Sequence, residues 1–218
     1  MANEFHWDST LDDMNTRRKD TDMSRFAREE VEQAFHHYFQ VGPVGEDWEA
    51  WSNLFTDDAV YHDHFYGKFT GPDEIRRFLE GTMGAAPHVY SPLAWYAVDG
   101  DRVVYEVINR ADNPEPGAPP IDFSSWQIIR YAGEGKWRSE EDLWIMAEMK
   151  RFAREYDAAL AKFPQTAEER LSRKDWGDDV PEWAKPAPGH VVRPSWAVRE
   201  GFVPFQGIGD IDFGVRTH

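Results

Sequence analysis

Residues 51–83, WSNLFTDDAVYHDHFYGKFTGPDEIRRFLEGTM, decide the fold of this chain. Trp48, Trp51 and Phe55 recur at spacings of three and four, which puts them on one face of a helix entering the segment. Asp57 and Asp58 end that run, and Ala59 to Tyr66 read as a strand carrying Asp63 between His62 and His64. Gly71 breaks the chain. Pro72 suits a first helical turn, and Asp73 and Glu74 suit its positive end. Ile75, Phe78 and Leu79 form the buried stripe of a third helix running to about Met83. This order puts Asp63 on a strand lining whatever the helices cover, where a catalytic acid would have to be.

Upstream, a first helix is expected from Ser24 to Gln40, with Val31, Ala34, Phe35 and Tyr38 as its apolar stripe and Gly42, Pro43 and Gly45 ending it. Residues 1–22 are polar and aperiodic and read as an arm. Downstream the texture turns to strands. HVYSPLAWYAV (88–98) and RVVYEVINR (102–110) flank Asp99-Gly100 as a hairpin. ADNPEPGAPP (111–120), with four prolines, is a loop. IDFSSWQIIRY (121–131) and KWRSEEDLWI (136–145) form a second hairpin about residues 132–135, and a helix follows from Met146 to Lys162 with Met149, Phe152, Tyr156 and Leu160 on one side. Residues 164–218 keep no period, yet Trp176, Trp183, Trp196, Phe202 and Phe205 are costly to leave in water. They predict an extended arm packed over its own domain or a neighbouring subunit. The expected fold class is α+β: three N-terminal helices on a curved antiparallel sheet (23–163), closed into a cone with an internal pocket.

Bulk properties narrow the function. A formal charge of −16 over 218 residues argues against phosphate-backbone binding, so no nucleic acid partner is expected, and it disfavours anionic membrane surfaces. No apolar run approaches the roughly 20 residues of a membrane span, and MANEFHWDST lacks the features of a signal peptide. A soluble, cytoplasmic protein is the expectation. Without cysteine there is no disulfide, thiolate nucleophile or cysteine-ligated zinc.

LFTDDAVYHDHFYGKFTGPDEIRRFL (54–79) resembles the signature of the nuclear-transport-factor-2-like superfamily in its SnoaL-like branch, and YAGEGKWRSEEDLW (131–144) is similar to that family's final hairpin. The resemblance spans about residues 24–163 and neither arm. It implies the cone fold, homodimerisation through the outer sheet face, and a pocket for a small apolar molecule. Its members include ketosteroid isomerases, limonene epoxide hydrolases, scytalone dehydratases, polyketide cyclases and non-catalytic binders, so it does not settle the activity.

The resemblance also suggests site residues. Asp63 falls where ketosteroid isomerases carry their proton-shuttling carboxylate; the bland reading is a strand acid bonded to backbone or facing water. Tyr38 falls, with a one-residue insertion, at their oxyanion-stabilising tyrosine, and equally is a member of the first helix's core stripe. Their second oxyanion donor, an acid, is replaced by Gln127. His88 resembles the general base of scytalone dehydratase, although the aspartate that orients it there corresponds to Tyr38 here. Asp142 matches a catalytic aspartate of epoxide hydrolases and SnoaL-type cyclases, with Glu140 and Glu141 beside it leaving an acidic solvent face as the alternative. Tyr61 and Asp63 take the places of the epoxide hydrolases' tyrosine and asparagine. Their Arg-x-Asp pair is not reproduced; Asn109, Arg110 and Asp112 stand near it. Trp95, Trp126 and Trp144 are candidate pocket walls. Strand alternation points His62 and His64 away from Asp63, and two histidines two apart need a third ligand that nothing in the sequence marks, so no native metal is expected. The leading expectation is an acid–base enzyme without cofactor, acting on a steroid-, terpenoid- or polyketide-like compound. The alternatives are a ligand-binding or dimerisation module, or an assembly protein docking through its C-terminal arm.

Overall fold

The computed structural model describes residues 25–171 and 174–187. Helix α1 (Arg28–Phe39) buries Val31, Phe35, Tyr38 and Phe39. Its expected start at Ser24 lies outside the described residues. Gly42 and Pro43 do not end it as expected: the chain widens into a π-helical turn over Gln40–Val44. Gly42 serves packing instead, because a Cβ there would meet Trp51 Cδ1 at 2.3 Å. Helix α2 (Trp48–Ser52) is short and capped by the Asp47 side chain, which accepts from Ala50 N at 3.0 Å. Phe55, expected on that helix, opens strand β1 (Phe55–Asp63), and its inward position keeps it in the same aromatic cluster. Strand β2 (Gly67–Thr70), which sequence reading missed, pairs back on β1 around a short turn.

Gly71 follows at φ +76°, opening helix α3 (Gly71–Ala85) with Pro72 in its first turn. An ideal Cβ at Gly71 would lie 2.9 Å from the Asp57 carbonyl oxygen. Gly71→Ala therefore meets both a disfavoured backbone conformation and a backbone clash, and should cost about 1–3 kcal/mol. Urea denaturation measures it; an unchanged midpoint would show that the strand–helix turn is free to open.

The remaining strands are β3 (Leu93–Asp99), β4 (Arg102–Ala111), β5 (Ile121–Gly133) and β6 (Lys136–Trp144), giving a curved six-stranded sheet in the order β2-β1-β6-β5-β4-β3. His88 was expected to open β3 but precedes it: Pro92 has no N–H for the ladder, and only Tyr90 makes an isolated bridge, to Arg110. The sheet is not wholly antiparallel, since β1 and β6 run parallel with His62 opposite Glu141 and Asp63 opposite Asp142. No turn joins these two strands, so no local signal announces their direction.

Helix α4 (Met146–Lys162) packs Phe152 and Tyr156 against Val89, Ala111 and Ile121. The C-terminal segment forms one turn, α5 (Ala167–Arg170), closed by a Thr166/Glu169 capping box. It then lies on its own domain. Trp176 packs on Tyr90 (5.2 Å between centroids), Trp183 stacks on His36 at 3.7 Å, and Arg110 Nη1 donates to the Asp175 carbonyl at 2.9 Å. Trp196, Phe202, Phe205 and the N-terminal arm lie outside the described residues. Among the described residues no helix is long and apolar enough to cross a membrane.

Candidate active site

Between the concave sheet face and helices α1, α3 and α4 lies a cavity of about 400 Å³. Residues alternate along each strand, so one inward register of β1, β4, β5 and β6 supplies its polar wall. Tyr61 and Asp63 come from β1, Tyr105, Val107 and Asn109 from β4, Ser125 and Gln127 from β5, and Glu140, Asp142 and Trp144 from β6. Tyr38 enters from α1. Phe78, Leu79 and Met83 of α3 and Met149 and Phe152 of α4 make the rest of the lining largely apolar.

Two carboxyl groups dominate the polar wall. Asp142 accepts from Tyr61 Oη at 3.1 Å and from Gln127 Nε2 at 3.0 Å. Burial, and then the charge of Asp63 in register beside it, push its pKa up to about 7, against the pull of those two donors. Glu140, two residues back on the same face and only 3% exposed, accepts from the hydroxyls of Tyr38 and Tyr105. Burial drives it further, to about 8. The phenols of Tyr38, Tyr61 and Tyr105 are all pushed well above their ordinary value, first by burial, so they remain protonated donors. A polar strip runs on from Asp142: Gln127 Nε2 also donates to Ser125 Oγ (2.7 Å), to which Asn109 Nδ2 donates at 2.9 Å. Gln127 Oε1 is buried and accepts no hydrogen bond from the described residues.

Asp63 lines the cavity as expected, but its lone pairs are engaged. Oδ1 accepts from the backbone amides of Phe65 and Tyr66, each at 2.7 Å, and Oδ2 accepts from Trp144 Nε1 at 3.0 Å. These bonds fix the β1–β2 turn and aim the charge of Asp63 at Asp142. His88 borders the same cavity on the α4 side, stacked on Tyr156 at 3.9 Å, with Arg170 donating towards its Nδ1 at 3.4 Å.

Eight sequence candidates thus meet at one cavity: Asp63, Tyr38, His88, Asp142, Tyr61, Gln127, Asn109 and Trp144. Two do not. Trp95 (45% exposed) and Trp126 (37% exposed) fall on the outward register of β3 and β5 and cannot be pocket walls. Trp95 instead donates to Glu106 at 2.6 Å. Sequence reading missed Glu140 and Tyr105. Alternation from Asp142 would have put Glu140 on its face; grouping Glu140 with Glu141 as a solvated acidic run hid it.

A family model described as a SnoaL-like domain matches residues 27–140. No curated protein sequence matches the chain. Similar solved structures include a hypothetical protein with a ketosteroid isomerase-like fold from Catenulispora acidiphila, in complex with trimethylamine (22% identity over 65% of this chain and 98% of that one, TM-score 0.44). Another is an LEH-like epoxide hydrolase of M. tuberculosis (18% identity, 62% and 97% covered, TM-score 0.49). A third is the epoxide hydrolase/cyclase-like enzyme SalBIII (18% identity, 55% and 94% covered, TM-score 0.45).

Proposed function

The chain belongs to the SnoaL-like domain family, and from that premise we propose that it is an acid–base enzyme, needing no cofactor, that acts on a small, largely apolar molecule held in the cavity. The observation that carries this reading is the Asp142 carboxyl, which faces an apolar-lined cavity with its pKa raised to about 7. A group in that range is half in its basic form at neutral pH and strong enough to take a proton beside a carbonyl or from an attacking water. Asp142, rather than Asp63, is assigned as base, because Asp63 already accepts three hydrogen bonds. Tyr61 and Gln127 orient Asp142. Glu140, protonated at neutral pH, and the hydroxyls of Tyr38 and Tyr105 form a proton-donating cluster that can stabilise an oxyanion or protonate a leaving oxygen. Gln127 Oε1 would accept a hydroxyl of the ligand.

Isomerisation, dehydration, cyclisation and epoxide hydration all draw on such an arrangement. The cavity volume suits a skeleton of steroid, terpenoid or polyketide size. The second reading, a binding module without turnover, is favoured by Asp63, which already accepts three hydrogen bonds. Both are tested by titrating the protein with a panel of steroids, terpenoid epoxides and aromatic polyketides while following tryptophan fluorescence, since Trp48, Trp51 and Trp144 line the cavity. Each ligand that quenches it is then assayed for turnover. Quenching with conversion supports the enzyme, quenching without conversion supports the binding module, and no quenching by any class sinks both.

A further inference from the structure

The register that turns Asp63 and Asp142 inward turns their neighbours outward. His62 on β1 and His64, the first residue past its end, stack face to face on the outer side with centroids 4.3 Å apart and planes 30° from parallel. The parallel pairing of β1 with β6 places Glu141 opposite His62, and Glu141 Oε1 stands 2.6 Å from His64 Nε2. The sequence alone marks no third ligand for the histidine pair. The tertiary structure supplies it: one ligand atom from each of His62, His64 and Glu141 lies within 4.8 Å of the other two.

We propose that His62, His64 and Glu141 form a binding site for a divalent transition-metal ion of the zinc type on the outer face of the sheet. Two imidazole nitrogens and one carboxylate oxygen are a zinc-type donor set, leaving a fourth, tetrahedral position to water. Metal–ligand bonds of about 2.0–2.2 Å bring ligand atoms a little over 3 Å apart, so side-chain rotation closes the site without moving backbone. In the single chain His64 and Glu141 are close to half exposed (45% and 44%), which opens the site to an ion. Lys68, in register with His62 on β2, is the opposing charge, and its long stem lets the ammonium turn to solvent. The site bridges β1 and β6 directly behind Asp63 and Asp142. A bound ion would therefore clamp the strand pairing that sets the spacing of the two cavity acids.

The test uses tag-free, full-length protein stripped of metal and then titrated calorimetrically with zinc alone, alongside thermal melts. The expected result is one zinc per chain and, at about a hundredfold excess over Kd, a melting temperature raised by roughly 5–10 °C. Magnesium and calcium should give neither, because hard cations favour all-oxygen sites. A His62→Ala/His64→Ala double variant and a Glu141→Gln variant, all at surface positions, should keep the parent's metal-free melt. Each should weaken zinc binding by at least the 10- to 100-fold that loss of an outer-shell partner typically costs. Absence of zinc heat in the parent, or unchanged binding in the double variant, overturns the proposal.

Discussion

Asp142→Asn should lower kcat/KM on any cavity substrate by about 10²- to 10⁴-fold, the usual contribution of a positioned general base, while leaving the protein folded. The substitution keeps the shape of the side chain and removes its ability to hold a proton near neutral pH. Tyr61 can still donate to the new amide oxygen. The new amide nitrogen would face Gln127 Nε2, donor against donor, but Gln127 can turn its own amide: Nε2 then leaves Ser125, whose hydroxyl can rotate to donate to Oε1 instead. The structural penalty is thus small, and a melt within a few degrees of the parent would confirm that activity alone was removed. Parent activity should rise with pH through the region near 7 where Asp142 titrates, and the variant should lose that limb. The same substitution at Asp63 should act less directly, by loosening the β1–β2 turn. Parent-like turnover in Asp142→Asn would sink the assignment of the base.

Glu140→Gln should make the protein more stable than its parent at pH 8. Burial raises the Glu140 carboxyl from its ordinary 4.5 to about 8, so the folded state binds this proton more tightly than the unfolded state does. The resulting stability is fully present below about pH 4.5 and is lost as pH rises through about 8. On the order of 1.4 kcal/mol per pH unit is lost between those limits from this one group. Asp142 acts in the same direction between 3.8 and about 7. His36 and His62, lowered by burial, act oppositely, gaining stability as pH rises through their own range. The two histidines are common to both proteins and cancel in the difference; Asp142, whose charge helps to raise Glu140, is coupled to it and cancels only in part. The amide variant carries no charge to desolvate, and its oxygen can accept from one of the Tyr38 and Tyr105 hydroxyls while its nitrogen donates to the other. Its advantage at pH 8 should be a few kcal/mol and should vanish or reverse near pH 5. Denaturation curves at the two pH values read it directly. Parallel stability profiles for parent and variant from pH 5 to 8 would show that Glu140 is not the buried proton carrier described.

Much of the scaffold was legible because its signals are local. The three- and four-residue spacing of Val31, Phe35 and Tyr38, the Gly71-Pro72 punctuation and the turns at Asp99-Gly100 and Gly133-Glu134-Gly135 each act within a few residues of chain. Where local signs misled, a distant group had taken over. Gly42 reads as a helix terminator, yet it is a glycine because Trp51 lies against its backbone. Phe55 continues a helical spacing, yet the amide of Trp137 donates to the carbonyl of Leu54 beside it and draws the chain into the sheet. Strand β2 was missed because Gly67–Thr70 is too short to show alternation.

The candidate site divides along the same line. By itself the sequence determined the fold family, the strands that carry the acids, and that Asp63 and Tyr61 face one way while His62 and His64 face the other, since alternation is a property of any strand. Only the tertiary structure decided which acid titrates near neutrality and which is occupied by hydrogen bonds. It alone turned Trp95 and Trp126 outward, buried Glu140 beside Tyr38 and Tyr105, and brought Glu141 to the histidine pair. The physical reason is that a carboxyl group's proton affinity depends on the water it loses and the charges and donors it meets. For Asp142 and Glu140 those neighbours come not only from the hairpin partner β5 but from β1, β4 and α1, far away along the chain.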